Sequence, residues 1–149
     1  MQHDSITHKI LQILSEDGRI SNQALAQAVG LSPSACLRRV QELERSGVIR
    51  GYRARLDAET AGRGFIVCVA VGLSSHSRAA QRAFEAALAP VPEVVECHNI
   101  AGAFEYLLRV ETSDMRSYKA FHDDVLGTIR EVRSITSHIV LGSAKDSRA

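Results

Sequence analysis

Four polar side chains with the chemistry to read a base edge recur in one short stretch. If residues 33–46 are helical, an advance of about 100° per residue places Ser34, Arg38, Gln41 and Arg45 on one stripe, with Arg39 on its flank. Arginine can fork onto guanine O6 and N7, and glutamine can pair with adenine. Ser32 and Ser34, at the positive start of that helix, suit phosphate oxygens. The opposite stripe, Cys36, Val40 and Leu43, is small and aliphatic, as a packed face must be. A run of arginines is by itself only a solvated face. Three features weigh toward base reading: the serine-proline start at Ser32-Pro33, a helix just before it, and an outer stripe without carboxylates, Glu42 and Glu44 lying to the sides.

Other reactive residues are scattered. The six histidines (His3, His8, His76, His98, His122 and His138) fall in no HExxH, and the chain has no GxSxG and no glycine-rich phosphate loop. No catalytic residue, bound metal or cofactor is therefore expected, and His122 reads as a core or interface residue. Cys36, Cys68 and Cys97 show no CxxC spacing and read as reduced thiols. Cys97 and His98 are adjacent on an expected strand, so they should point to opposite faces. Cys68 and Cys97 could share a face with His138 approaching, which leaves a metal- or redox-responsive protein as an alternative.

Elements must hold the arginine stripe in place. Ile6, Ile10, Leu11, Ile13 and Leu14 predict a first helix, capped by Asp4 or Ser5 and ended by Gly18. Ser21 starts a second, with Leu25, Ala28 and Val29 inward and Gly30 ending it. The third runs from Ser32 to Gly47. Two helices joined by a four-residue turn are a helix-turn-helix, whose second helix enters the major groove. Val48 to Leu56 reads as a small hairpin, or wing, turning at Gly51, with Arg50 and Arg53 beside the DNA backbone.

Charge divides the same way. Residues 1–55 hold eight basic and five acidic residues, and residues 56–149 hold ten and twelve. A basic front and a mildly acidic back suggest two jobs. The expected organisation is a winged helix-turn-helix over 1–56, a linker over 57–64 with two glycines, and a second domain over 65–149.

In that second domain, Phe65 to Leu73 reads as a strand buried on both faces. A helix from Ser77, with Ala80, Phe84, Ala87 and Leu88 inward, ends at Pro90. Strands over Glu93 to Ala101 and Phe104 to Glu111 meet at Gly102-Ala103. A helix from Asp114 to Leu126 turns Met115, Tyr118, Phe121, His122 and Val125 inward, and Arg130 to Leu141 is the last strand. The order βαββαβ is ferredoxin-like, so the fold class is α+β. Such a sheet leaves one face uncovered, which a second copy would satisfy. The longest apolar run, Phe65 to Leu73, is nine residues against the roughly 20 that span a bilayer. Met1-Gln2-His3-Asp4 lacks a signal-peptide pattern, so a cytoplasmic location and no membrane partner are expected.

The residues Asp17-Gly18-Arg19-Ile20-Ser21-Asn22, Leu25-Ala26, Val29-Gly30-Leu31-Ser32-Pro33-Ser34, Cys36-Leu37-Arg38-Arg39-Val40, Leu43-Glu44, Ser46-Gly47-Val48-Ile49 and Gly51-Tyr52 resemble the Lrp/AsnC, or feast/famine, transcription regulators. Gly102-Ala103-Phe104-Glu105-Tyr106-Leu107-Leu108 stands where that family usually has Gly-Asp-aromatic-Asp-Tyr-Leu-Leu, and Thr136-Ser137 with Ile139-Val140-Leu141 resembles its last strand. The resemblance implies double-stranded DNA as a partner and a homodimer built through the back domain, often extended to tetramers or octamers. It also implies a small amino-acid effector between dimers. By position, its effector residues would be Ile100, Ala101, Gly102, Ala103, Phe104, Glu105, Thr136 and Ser137. Ala103 replaces the usual Asp and Ala101 a common Thr. An α-ammonium would then have to be met by backbone carbonyls, Glu105 or another subunit. A regulator without an amino-acid response remains the alternative.

Overall fold

The computed structural model describes residues 4–146, which fall into two compact units, one through Ala54 and one from Arg55. His3 of the expected histidine set lies outside the described residues.

The first unit holds three helices, α1 (Ser5–Glu16), α2 (Asn22–Val29) and α3 (Pro33–Arg45). Each begins on a side-chain cap. Asp4 accepts from the Thr7 N–H, Ser21 from Ala24 and Ser32 from Ala35. These bonds satisfy donors that a helix start leaves unpaired. Gly30 closes α2 at φ 72, a left-handed conformation that glycine adopts without strain. Ile10, Leu25, Ala26, Val29, Cys36 and Leu43 form the core. Ala26 takes the inward place expected of Ala28, which is exposed. An eight-residue helix packed by both α1 and α3 buries a face shifted round its axis. The wing hairpin is not formed: residues 48–56 make no strand ladder. Val48, Tyr52 and Leu56 are exposed there and Gly51 sits at φ 146, so no buried face holds two strands together.

The second unit is a four-stranded antiparallel sheet of β1 (Phe65–Leu73), β2 (Val94–Asn99), β3 (Tyr106–Thr112) and β4 (Val132–Ile139), in the order β2-β3-β1-β4. Helices α4 (Arg78–Leu88) and α5 (Met115–Asp124) complete the ferredoxin-like βαββαβ order. Val67, Val69 and Val71 alternate inward on β1 and meet Tyr106, Leu108 and Val110 of β3 under Phe84, Leu88, Tyr118 and Phe121. Ala87 is exposed and Met115 is 52% exposed, both against the inward assignment. Ala87 lies off the Phe84–Leu88 stripe, and Met115 begins α5 at the margin of the core.

The far face of the sheet carries Ile66, Cys68 and Ala70 of β1, with Leu107 and Arg109 of β3 and Thr136 and His138 of β4 as register partners. Ile66 and Cys68 are half-exposed, so β1 is fully buried only toward its C-terminal end. The chain's own end reaches this face: Val140 donates to the Ile66 carbonyl at 3.0 Å, and Arg109 pairs with Asp146 at 2.9 Å. Cys97 pairs in register with Leu108 and so lies on the face opposite Cys68, which excludes the shared thiol face considered above. His138 does stand beside Cys68. Among the described residues no cluster of three metal-ligating side chains forms, and no helix is long and apolar enough to cross a membrane.

Candidate functional site

Helix α3 presents Ser34, Arg38, Gln41 and Arg45 to solvent while Cys36 and Leu43 are buried beneath it and Val40 is half-buried. The stripe rests on its start. Ser32 caps the helix at 3.3 Å from the Ala35 N–H, its hydroxyl also lies 3.3 Å from that of Ser34, and Pro33 occupies the first turn. Asn22, at the start of α2, donates its amide to the Pro33 carbonyl at 2.8 Å, fixing the two helices of the motif to each other.

The arginines are not equivalent. Arg38 and Gln41, and likewise Arg50 and Arg53, are exposed and make no ion pair or side-chain hydrogen bond with the described residues. Arg39 turns back to α1, where its guanidinium bonds both Asp4 carboxylate oxygens at 2.7 and 2.9 Å and the Thr7 hydroxyl at 3.1 Å. The Thr7 N–H and this guanidinium hold the Asp4 carboxyl well below the usual carboxylate range. Arg45 forks onto Glu42 at 2.8–3.1 Å, so a carboxylate does reach the outer stripe. That pair is solvent-exposed, and such pairs hold their partners weakly.

The expected effector residues come together only in part. Residues 100–105 form the connection between β2 and β3, closed by the Ile100 N–H donating to the Glu105 carbonyl at 2.9 Å. Ala101, Gly102 and Ala103 are exposed, and Phe104 is half-buried. Glu105 is committed: one carboxylate oxygen accepts the Leu73 N–H at 2.6 Å and the other lies 2.6 Å from the His76 ring nitrogen. The Leu73 N–H, with His76 and Arg133 nearby, draws its pKa below the ordinary value. An ammonium group would have to compete with all three. Thr136 and Ser137 separate to opposite faces of β4. Thr136 stands beside Ala70 on the far face, and Ser137 bonds the Tyr118 hydroxyl at 2.5 Å on the helix side.

Known proteins are similar to this chain over nearly all of its length. Residues 66–149 match the Lrp/AsnC ligand binding domain, and residues 3–50 match a winged helix-turn-helix DNA-binding family. The chain belongs to the Lrp/AsnC family of transcriptional regulators. It is 39% identical to the proline dehydrogenase transcriptional activator of Rhizobium radiobacter, over 97% of this chain and 94% of that protein. It is 37% identical to the leucine-responsive regulatory protein of Salmonella typhimurium, over 97% and 88%. A transcriptional regulator of Neisseria meningitidis, solved as its complex with L-Met, superimposes with a TM-score of 0.92 at 35% identity, covering 97% of this chain and 94% of that one.

Sequence reasoning about this Lrp/AsnC regulator missed the surroundings of Glu105. A side chain at Gly72 would meet the Ser134 hydroxyl at 2.4 Å, with Arg133 and Glu105 atoms 3.8 Å away. Gly72 pairs with Ser134, and the register shifts between Gly72 and Leu73. A glycine inside an apolar strand signals such a bulge or close approach, so Gly72 was findable. Ser134, Arg133 and His76 carried no local signal, because strand register brings them there.

Proposed function

We propose that this regulator reads DNA with the outer stripe of α3, Arg38 and Gln41 addressing base edges while Ser32 and Ser34 address phosphates. The observation that carries the reading is the pair of long donors, Arg38 and Gln41, without partners among the described residues, on a helix capped at Ser32 and tied to α2 through Asn22. Arg50 and Arg53 add phosphate contacts. Arg39 serves the fold of the unit through Asp4. Arg45 reaches DNA by exchanging Glu42 for a phosphate.

The effector in this reading is an amino acid bound at the 100–105 connection. Backbone carbonyls and a neighbouring copy supply what the missing acid at Ala103 does not, since Glu105 is held by Leu73 and His76. The L-Met complex of the Neisseria relative supports that ligand class. A homodimer would cover the far face around Cys68, Ala70 and Leu107, and higher assemblies would change with effector occupancy. Ligand and DNA affinity would then be coupled reciprocally. A thermal-shift screen of the purified protein against the twenty amino acids, followed by mass measurement with and without the best hit, tests this. One amino acid that raises the melting midpoint and changes the assembly mass supports it. A flat screen leaves a DNA-binding regulator without an amino-acid response.

A further inference from the structure

Leu37 is the one large apolar side chain of α3 that does not pack inward; it is 45% exposed. Leucines exposed singly are common on protein surfaces. This one is distinguished by its place. At about 100° per residue it lies about 40° from Gln41 and about 60° from Ser34, on the margin of the stripe assigned to base reading. It precedes Arg38 directly, in the first half of the helix, where Ser32 and Asn22 fix the backbone. Ser34, Arg38 and Gln41 on that side are polar and exposed, and among the described residues Leu37 is left open to solvent.

A helix laid in the major groove with Arg38 and Gln41 toward the bases brings Leu37 against the same wall of base edges. The apolar feature displayed there is the C5 methyl group of thymine. An aliphatic side chain beside an arginine fork and a glutamine amide gives a helix the third of the chemistries needed to separate the four base pairs. We propose that Leu37 is a specificity-determining residue that selects a thymine in each half-site through its methyl group. This inference rests on the assignment of α3 as the recognition helix, and the two can fail separately.

The test uses the full chain and a duplex that it selects itself from a random-sequence pool. In that duplex each thymine is replaced in turn by deoxyuridine, which removes the methyl group and leaves base pairing intact. For the unsubstituted protein, uracil at one position of a half-site should weaken binding about fourfold, the value of burying one methyl group. Leu37→Ala should bind the thymine duplex more weakly by a similar factor and should not distinguish thymine from uracil at that position. Leu37→Met, which keeps an apolar side chain, should retain the distinction. Because Leu37 is half exposed, both variants should melt as the parent does. Indifference of the parent protein to every uracil substitution overturns the inference, as does an undiminished thymine preference in Leu37→Ala. If Arg38→Ala selects the same sequence with undiminished affinity, the recognition-helix assignment itself fails, and the inference with it.

Discussion

In the first unit the residues assigned to base edges, Arg38 and Gln41, lie within one helix, and their relative positions follow from helical geometry alone. In the second unit Gly72 of β1, Ser134 of β4 and Glu105 of the β2–β3 connection meet from chain positions about thirty apart, and only tertiary structure unites them. A site on one helix is rigid, and its variants should change binding while stability stays put. A site assembled across strands shares its atoms with the fold, so its variants should change both. The arginines sharpen the point. Arg38 and Arg39 are neighbours in sequence, yet one faces solvent while the other braces α1 through Asp4 and Thr7.

The largest effect should come from Arg38→Ala, which should weaken specific DNA binding by about 1–3 kcal/mol and relax sequence preference, with an unchanged melting midpoint. Arg39→Ala should do the reverse, lowering the melting midpoint of the first unit with less loss of sequence preference. Parallel binding titrations and melting curves separate the two. If both variants lose sequence preference equally, the contrast between them fails.

Gly72→Ala should destabilise the second unit by roughly 1 kcal/mol, because the added carbon must turn the Ser134 hydroxyl out of its present rotamer. Gly102→Ala, where an added carbon meets nothing within 4 Å, should change stability by less than about 0.5 kcal/mol. Chemical denaturation of both variants checks this, and equal losses would mean that the 100–105 connection is packed as tightly as the sheet. A bulkier Gly102→Phe should abolish the thermal shift produced by a bound amino acid while leaving the ligand-free melting midpoint nearly unchanged. A shift that survives would place the effector elsewhere.

A smaller effect concerns acid. The Asp4 carboxyl is depressed in the folded unit by the Thr7 N–H and by Arg39. A depressed folded pKa contributes stability that is complete above the unfolded value near 3.9 and is lost as pH falls below it. The melting midpoint of the first unit should therefore drop as the pH is lowered below about 4. Asp4→Asn, which still caps α1 but cannot pair ionically, should flatten that acid limb. An identical acid profile in the variant would show that other carboxylates set it.

Legibility followed the same division. The caps Ser21 and Ser32, the choice of Asp4 or Ser5 that the structure resolves to Asp4, the left-handed stop at Gly30 and the α3 stripe were readable because each depends on residues within four positions. Element order, and from it the ferredoxin-like topology, was readable because alternation and helical period repeat over many residues. The failures had two sources. The Val48–Leu56 wing was inferred from local turn chemistry alone, and a hairpin without a buried face does not hold. The inward assignments of Ala28 and Ala87 failed because alanine serves either face equally well. The shared face considered for Cys68 and Cys97 failed because the β2–β3 register, with its shift between Val94 and Glu96, turns Cys97 away from Cys68.

By itself the amino-acid sequence determined the helices and strands, their order, the polar stripe of α3 and the resemblance to a family of regulators, since these follow from periodicity, capping and motif spacing. Only the tertiary structure decided which arginine faces solvent, that Glu42 reaches Arg45, that Glu105 is held by Leu73 and His76, and that Thr136 and Ser137 part to opposite faces. The arginine and Glu105 contacts depend on where a distant backbone passes, whereas the Glu42–Arg45 pair is a choice of rotamer within one helix and the parting of Thr136 and Ser137 follows from strand alternation. A side chain with several possible partners takes the one that packing brings within about 3 Å, and no local pattern encodes that choice.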